Sequence, residues 1–454
     1  MSRFPEEPSP AASGESPALS TAAMIDRVCA PLERRPGGWW WIAFLAAASG
    51  ALLLLSVLSL QLAAGLGILG INHPVAWGGY IVNFVFWVGI AHAGTLISAI
   101  LLVMRQRWRL PIARSAEAMT IMAIACAAIF PLLHTGRPWL DGWLLPLPNE
   151  RGPLWPQFRS PLAWDVFAVG TYATVSLLFW YLSLVPDLAI VRDRLPAGWR
   201  RRLYHGLSLG WSGTLAAWTA HHRASLQLAW LAMPLVVSVH STVSFDFAMG
   251  NVPGWHATVF PPYFVVGAIF GGFAMLVLVL IPLRAGFGLQ ALITRGHLER
   301  CAFIILATSQ LLLYAYLVEL FAAWQSGPGA ERDQFLWRMA GSHAWTFWLM
   351  ILCNAVAPLL LAFSRLRRHL GVLAAVCVLV NLGMWLERYT IVVGSLERAH
   401  LPSAWGSWLP TLADLGVTFG TFGLFAALFL LVVRWMPAVG MHEVAGGGGE
   451  QRHG

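Results

Sequence analysis

The chain has 454 residues, 58% of them hydrophobic and only 11% charged, with a formal charge of +8 and an isoelectric point near 9.7. That balance excludes a soluble globular protein, because apolar runs of about 18 residues or more recur, and each can cross a bilayer. Nucleic acid is excluded as a partner as well. All 29 basic residues are arginines, and they fall between the apolar runs, not in one aromatic-studded patch.

Residues 1–38, rich in Pro, Ser, Ala and Glu, are expected to form a disordered cytoplasmic tail. They lack the basic start, apolar centre and cleavage site of a signal peptide. Ten spans follow, near 39–63, 76–104, 114–135, 161–186, 225–248, 256–283, 299–324, 342–364, 370–395 and 409–434. The fold class is therefore an all-α polytopic membrane protein with ten transmembrane helices. If the N-terminus is inside, 22 of the 29 arginines lie on the inner side and six in outer loops, with Arg388 inside a span. The positive-inside rule then places both termini in the cytoplasm. The inner stretch 187–224, with WRRRLYHGLSLGW, suits a surface-lying helix anchored by Trp and Arg. The outer loop 136–160, with PLPNERGPLWP, reads as a docking surface or a lid, and residues 437–454 as a flexible cytoplasmic tail.

The five cysteines, Cys29, Cys126, Cys301, Cys353 and Cys377, form no CxxC, so the chain encodes neither an iron–sulfur cluster nor a structural zinc. Four lie in apolar runs, where cysteine behaves as a small buried hydrophobe.

Ionisable residues in a bilayer are costly and point to function. With the orientation set, most of them fall in the outer leaflet. His134 and Arg137 end the third span and Asp165 opens the fourth. His240 and Asp246 lie in the outer half of the fifth, and His256 opens the sixth. Glu319 is in the outer third of the seventh, and Glu387 and Arg388 in that of the ninth. His92 stands apart, near mid-depth in the second. Snorkelling to water accounts for His343 and Asp414 at their span ends. Buried pairing suits Glu387 with Arg388, and Arg137 with Asp165. Neither explains why Asp246, Glu319, Glu387 and Arg388 all lie a turn or more inside one leaflet, which points to a shared pocket.

A quinol fits such a pocket. It arrives through lipid and must lose two electrons and two protons, so it needs an apolar slot, a hydrogen-bond partner for each hydroxyl, and a base. His134 with Asp165 is a fitting pair. With no cluster motif in the chain, the electrons should pass to a neighbouring subunit docked on the outer loops. A di-haem b cytochrome is the first rival, but His92, His134, His240 and His256 cannot make two stacked bis-histidine sites. A secondary transporter is the second, and would be expected to carry charge near mid-depth.

The segments NHPVAWG at 73–79, NFVFWVGIAHAGTLISAILL at 83–102, RSAEAMT at 114–120, FPLLHTGRPW at 130–139 and SPLAWDVF at 160–167 carry a resemblance. So do LVVSVHSTVSFDFA at 235–248, PGWHATVFPPYFVVGAIFGGFAM at 253–275 and NLGMWLERYTIVV at 381–393. Through them the chain resembles the polysulfide-reductase-like (NrfD-like) membrane subunits, and within these the C-type subunits of bacterial alternative complex III. The resemblance implies a flanking helix at 39–63, a first four-helix bundle at 64–248 holding the quinol site, a second at 249–396, and a last helix at 397–436. It implies a bacterial inner-membrane subunit that oxidises menaquinol or ubiquinol and carries no haem, cluster or metal itself. The implied partners are a periplasmic iron–sulfur subunit, haem c subunits, a paralogous membrane subunit and a terminal oxidase. His134 and Asp165 would be catalytic, with Arg137, Asp246, Arg388 and His240 binding quinol. His92, Glu319 and Glu387 would serve proton translocation. The paralogous F-type membrane protein of the same complex, or the membrane anchor of a polysulfide-reductase-like molybdoenzyme complex, are the neighbouring readings.

Overall fold

The computed structural model describes residues 20–144, 161–325 and 329–442. Within lipid a backbone must satisfy its own hydrogen bonds, so the apolar runs become helices. In chain order these are α1 (Thr21–Glu33), α2 (Gly38–Ala64), α3 (Gly79–Val103), α4 (Leu110–Ala127) with its continuation α5 (Ile129–Leu133), and α6 (Pro161–Arg194). Then come α7 (Trp199–Leu207), α8 (Leu215–Ala248), α9 (Phe260–Gly286), α10 (Arg295–Gln325), α11 (Gly329–Ala340) and α12 (Ala344–Ile351). The α12 span runs on through a π turn at Leu352–Val356 and a 3-10 turn at Ala357–Ala362. The last helices are α13 (Ser364–Arg368), α14 (Leu370–Leu396) and α15 (Leu412–Trp435). Ten of these segments are long and apolar enough to cross a membrane, as expected.

Helices α3, α4, α6 and α8 pack as one four-helix group, and α9, α10, α12 and α14 as another. The groups meet where α9 lies against α3 and α8. Close approach there depends on Gly272, at which an added methyl would sit 1.8 Å from the Ala93 Cβ. Helix α3 is the axis of the molecule: 89% of its apolar window is buried, against 11% for α2. Helices α2 and α15 flank the first group as a pair. Gly50 and Gly423 bring their backbones together, as small residues do between membrane helices.

Several expectations change. The fourth span does not end at Pro186 but continues to Arg194, and the fifth begins at Leu215. Proline lacks an N–H, which frees the Leu182 carbonyl one turn back. His221 Nε2 takes that carbonyl at 3.1 Å, so the helix can continue. The long inner stretch shrinks accordingly, and α7 is its surface-lying helix, with Trp199 exposed and Tyr204 buried.

The tails are not free where they are described. Helix α1 buries Met24, Val28, Cys29 and Leu32, and burial pushes the Cys29 thiol up to about 12. Val439 and Met441 are fully buried. Residues 1–19 and 443–454, and the 145–160 part of the predicted docking loop, lie outside the described residues. All five cysteines are free and buried.

Asp414 and His343 do not reach out to water. Asp414 is buried and forms a capping box with Thr411 at the start of α15. His343 Nδ1 lies 3.0 Å from the buried Glu397 carboxylate.

Candidate functional site

The inward face of α6 carries the site. Asp165, Tyr172, Ser176, Ser183 and Asp187 follow each other at steps of seven and four, which a helix of 3.6 residues per turn keeps on one side. Opposite them stand polar residues of α3, α4 and α8. Together they make a polar column through the first bundle.

At one end, Asp165 meets Asp246 near the C-terminus of α8, the two carboxyl groups within hydrogen-bonding reach. One oxygen of each is buried with no partner among the described residues. Two acceptors so placed need donors, and buried polar groups without them are rare. The same turns of α6 and α8 wall a groove of 510 Å³ lined by Trp164, Phe167, Ala168, Phe245 and Met249. Trp164 and Phe167 are each half exposed, so the groove opens sideways to where lipid would lie.

His134 is the C-cap of α5 and Arg137 lies three residues beyond it. His134 Nδ1 is 2.9 Å from the Pro131 carbonyl. A carbonyl can only accept, so Nδ1 carries the proton and Nε2 is left as the acceptor of the neutral ring. Arg137 is exposed. Among the described residues, no hydrogen bond or ion pair joins Asp165 to His134 or to Arg137. The expected pairs are thus replaced by Asp165 with Asp246.

Two turns deeper, His92 and His240 form a pair, although the resemblance gave them separate roles. Their Nδ1 atoms lie 3.1 Å apart, and His92 Nδ1 also donates to the Val88 carbonyl at 2.7 Å. His240 Nδ1 must then be an acceptor, with its proton on Nε2. Among the described residues both Nε2 atoms are buried without a hydrogen-bond partner, one an acceptor and the other a donor. Tyr172 stacks on His92 at 4.2 Å between ring centroids, and its hydroxyl donates to the Ala91 carbonyl.

Below this pair the column continues through residues not expected from the sequence. Thr95 donates to Ser176 at 3.0 Å. Buried Glu117 accepts from Ser98 at 2.5 Å, Ser183 at 2.7 Å and Arg114 at 3.2 Å. Arg114 bridges on to Asp187 at 3.0 Å. The available signals were the Arg114/Glu117 spacing of three inside RSAEAMT, and an acid directly after Pro186. Buried charge thus fills the arginine-rich half of this bundle.

The second bundle holds its acids differently. Glu387 lies 3.0 Å from Arg388, accepts a hydrogen bond from the Tyr316 hydroxyl, and lies 3.4 Å from the Asn354 amide. Asn354 comes from the π turn, a distortion that often marks a special site. The Arg388 guanidinium lies 4.2 Å over the Phe264 ring, toward the bundle interface and His240. It pairs with Glu387 and not with Asp246. Glu319 pairs with Arg338 at 3.0 Å, and Arg338 also donates to Gly254 O and Ser395 Oγ. Among the described residues, no group of His, Cys, Asp and Glu could hold a metal ion.

Ten apolar helices with acids, histidines and tyrosines ranged inside two bundles define a polytopic membrane protein with a chemically active core. The chain belongs to the NrfD family: residues 67–398 match the family described as polysulphide reductase, NrfD. It is 27% identical, over 84% of its length and 90% of the other's, to a C-type membrane subunit of Halobacterium salinarum, provisionally named as that of a dimethyl sulfoxide reductase. The C-type subunit of selenate reductase from Mesobacillus selenatarsenatis is 21% identical, over 85% and 91%. The chain is therefore a membrane subunit of the NrfD-type oxidoreductase class. These relatives do not single out alternative complex III.

Proposed function

We propose that the chain is the quinol-oxidising membrane subunit of a respiratory complex, with the reaction at the Asp165–Asp246 mouth. The observation that carries this reading is the pair of facing carboxyls on the same turns of α6 and α8 that wall a laterally open groove, whose own lining is aromatic, aliphatic and hydroxyl side chains. A quinol enters from lipid, places its ring among the aromatic walls, and offers a hydroxyl to the carboxyl pair. His134 Nε2 is the acceptor for the other hydroxyl, with Arg137 at the rim. The quinol gives up two protons to these groups and two electrons to a partner's iron–sulfur cluster docked at this end. His92 and His240 lie below as the next proton acceptors, and Arg388 sets the charge behind His240.

The arginine distribution supports a bacterial inner-membrane orientation with this mouth outward and both termini cytoplasmic. The asymmetry survives even though Arg114 and Arg338 are buried in ion pairs. In one version the assembly is an alternative complex III, with haem c subunits and a paralogous membrane subunit. The reductase relatives favour a second assembly, in which the chain is the quinone-linked anchor of a molybdoenzyme reductase. Proteins that purify with the chain separate the two.

Asp165→Asn and Asp246→Asn in the intact complex test the site itself. Loss of a general base typically lowers rates by about 10²–10⁴. Quinol oxidation should fall by that order while an artificial donor still reduces the partner's cluster. Near wild-type quinol oxidation in both variants would place the reaction elsewhere.

A further inference from the structure

The arginine-rich end of the polar column is closed by the chain's own C-terminal segment. Residues 437–442 follow α15 and lie beyond the stretch that matches the family. They turn back over the first bundle. Asp187 Oδ1 accepts the backbone N–H of Met441 at 3.1 Å, that of His442 at 3.2 Å and the His442 Nδ1–H at 2.9 Å. Its other oxygen holds Arg114. Ser115 of α4 donates to the Ala438 carbonyl at 2.9 Å. Met441 Sδ meets Cys29 Sγ of α1 at 3.5 Å. The His442 ring packs against Trp218 and His221 of α8. One short segment thus ties together α1, α4, α6 and α8.

Every anchor lies at the same end, and behind them is the hydrogen-bonded set Asp187, Arg114, Glu117, Ser183 and Ser98. Asp187 has no exposed surface and Glu117 only 3%. The segment is held by polar contacts to a single carboxylate together with the burial of Val439 and Met441. The polar contacts exchange readily for water once the segment lifts.

We propose that residues 437–442 are a removable seal, clamped on Asp187, which controls the access of water and protons to Glu117 from the arginine-rich side. While seated, the seal isolates the column. When it lifts, Asp187 and Arg114 become the vestibule of a water-filled inlet reaching Ser98. This holds whether or not the opposite mouth oxidises quinol.

Thiol accessibility in membrane vesicles containing the whole complex tests the proposal. Ser115→Cys places a reporter thiol beneath the seal, and Ser98→Cys places one deeper in the column. A small, charged methanethiosulfonate reagent is applied from the arginine-rich face. In the full-length chain neither reporter, nor native Cys29, should react. Ending the chain after Met436 should make Cys29 and both reporters reactive, with rates at the introduced thiols rising by about 10²-fold, the order expected for loss of a few hydrogen bonds. His442→Ala, which keeps the segment but removes its ring contact, should give an intermediate rate. Reactive Cys29 with a protected deep reporter in the shortened chain would overturn the proposal, because the segment would have left without opening the column. Equal reactivity of the deep reporter in the two chains would overturn it as well. Quinol turnover measured on the same vesicles separates this result from a failure at the other mouth.

Discussion

The two four-helix bundles have the same number of spans, and in both the first helix starts from the end that carries Asp165. Their polar interiors differ. In the first bundle the column runs from the carboxyl pair through the histidines to Glu117, Arg114 and Asp187, and the acids at its mouth lack donors. In the second, two buried acids have arginines, Arg338 for Glu319 and Arg388 for Glu387, and Glu397 at the end of α14 has His343. Toward the arginine-rich end the facing positions of α10 and α14 turn apolar, with Leu298, Cys301, Ile305, Leu373, Val376 and Cys377 all buried. A buried ion pair is costly to break, and this holds for the second bundle's pairs even though Glu387 Oε1 and Arg388 Nη1 make no hydrogen bond among the described residues. The facing acids at the first bundle's mouth have each other and, among the described residues, no cation. The two bundles share a four-helix arrangement, and the proposed reaction is assigned to the first.

The largest effect should come from cutting the first bundle's network. Asp187→Ala leaves two backbone N–H groups and the His442 ring without their acceptor and takes from Arg114 one of its two carboxylates, and breaking a buried pair this way costs about 3–5 kcal/mol. Thermal unfolding of the solubilised complex should show a large fall in midpoint. A midpoint like that of wild type would mean that water already satisfies these groups.

Packing gives a smaller contrast. A methyl at Gly94 in α3 would lie 2.1 Å from the Ala116 carbonyl oxygen, whereas one at Gly271 in α9 meets Met384 Cγ at 3.3 Å. Gly94→Ala should therefore cost about 1–3 kcal/mol or more, as overpacking against backbone does. Gly271→Ala should cost less, since a methionine can shift. Equal losses in the two variants would show that α3 and α4 can move apart. The smallest effect is expected from Glu319→Gln in the second bundle. Quinol oxidation should stay within about threefold of wild type, because the site shares no contact with the mouth. A large loss would draw the second bundle into the reaction.

Much of this was legible in the chain. Run length fixed the ten spans, and arginine placement separated the two ends. His134, Asp165 and Asp246 stood out because ionisable groups at span ends are few. Three things were hidden. Pro186 looked like a stop, since the His221 side chain that rescues the Leu182 carbonyl is distant in sequence. Arg114 looked like loop charge and Glu117 drew no notice beside it, because their shielding comes from α6 and from residues 437–442. The pairings of Asp165 with Asp246 and of His92 with His240 join different helices, and single-helix periodicity cannot show which faces meet. Residues 21–33 and 437–442 pack for the same reason: composition spoke for disorder there, and contacts with distant residues override it.

Photolabelling of the intact complex with an azido-quinone, followed by peptide mapping, tests most directly whether the first bundle is the site of reaction. The label should appear on α6 within residues 161–172 and on α8 within 235–249, and excess unlabelled quinone should remove it. The second bundle has its own cavity of 230 Å³, bordered by Tyr263, Tyr316, Glu319 and Trp348. Competed label confined to those residues, with none on α6 or α8, would contradict the assignment.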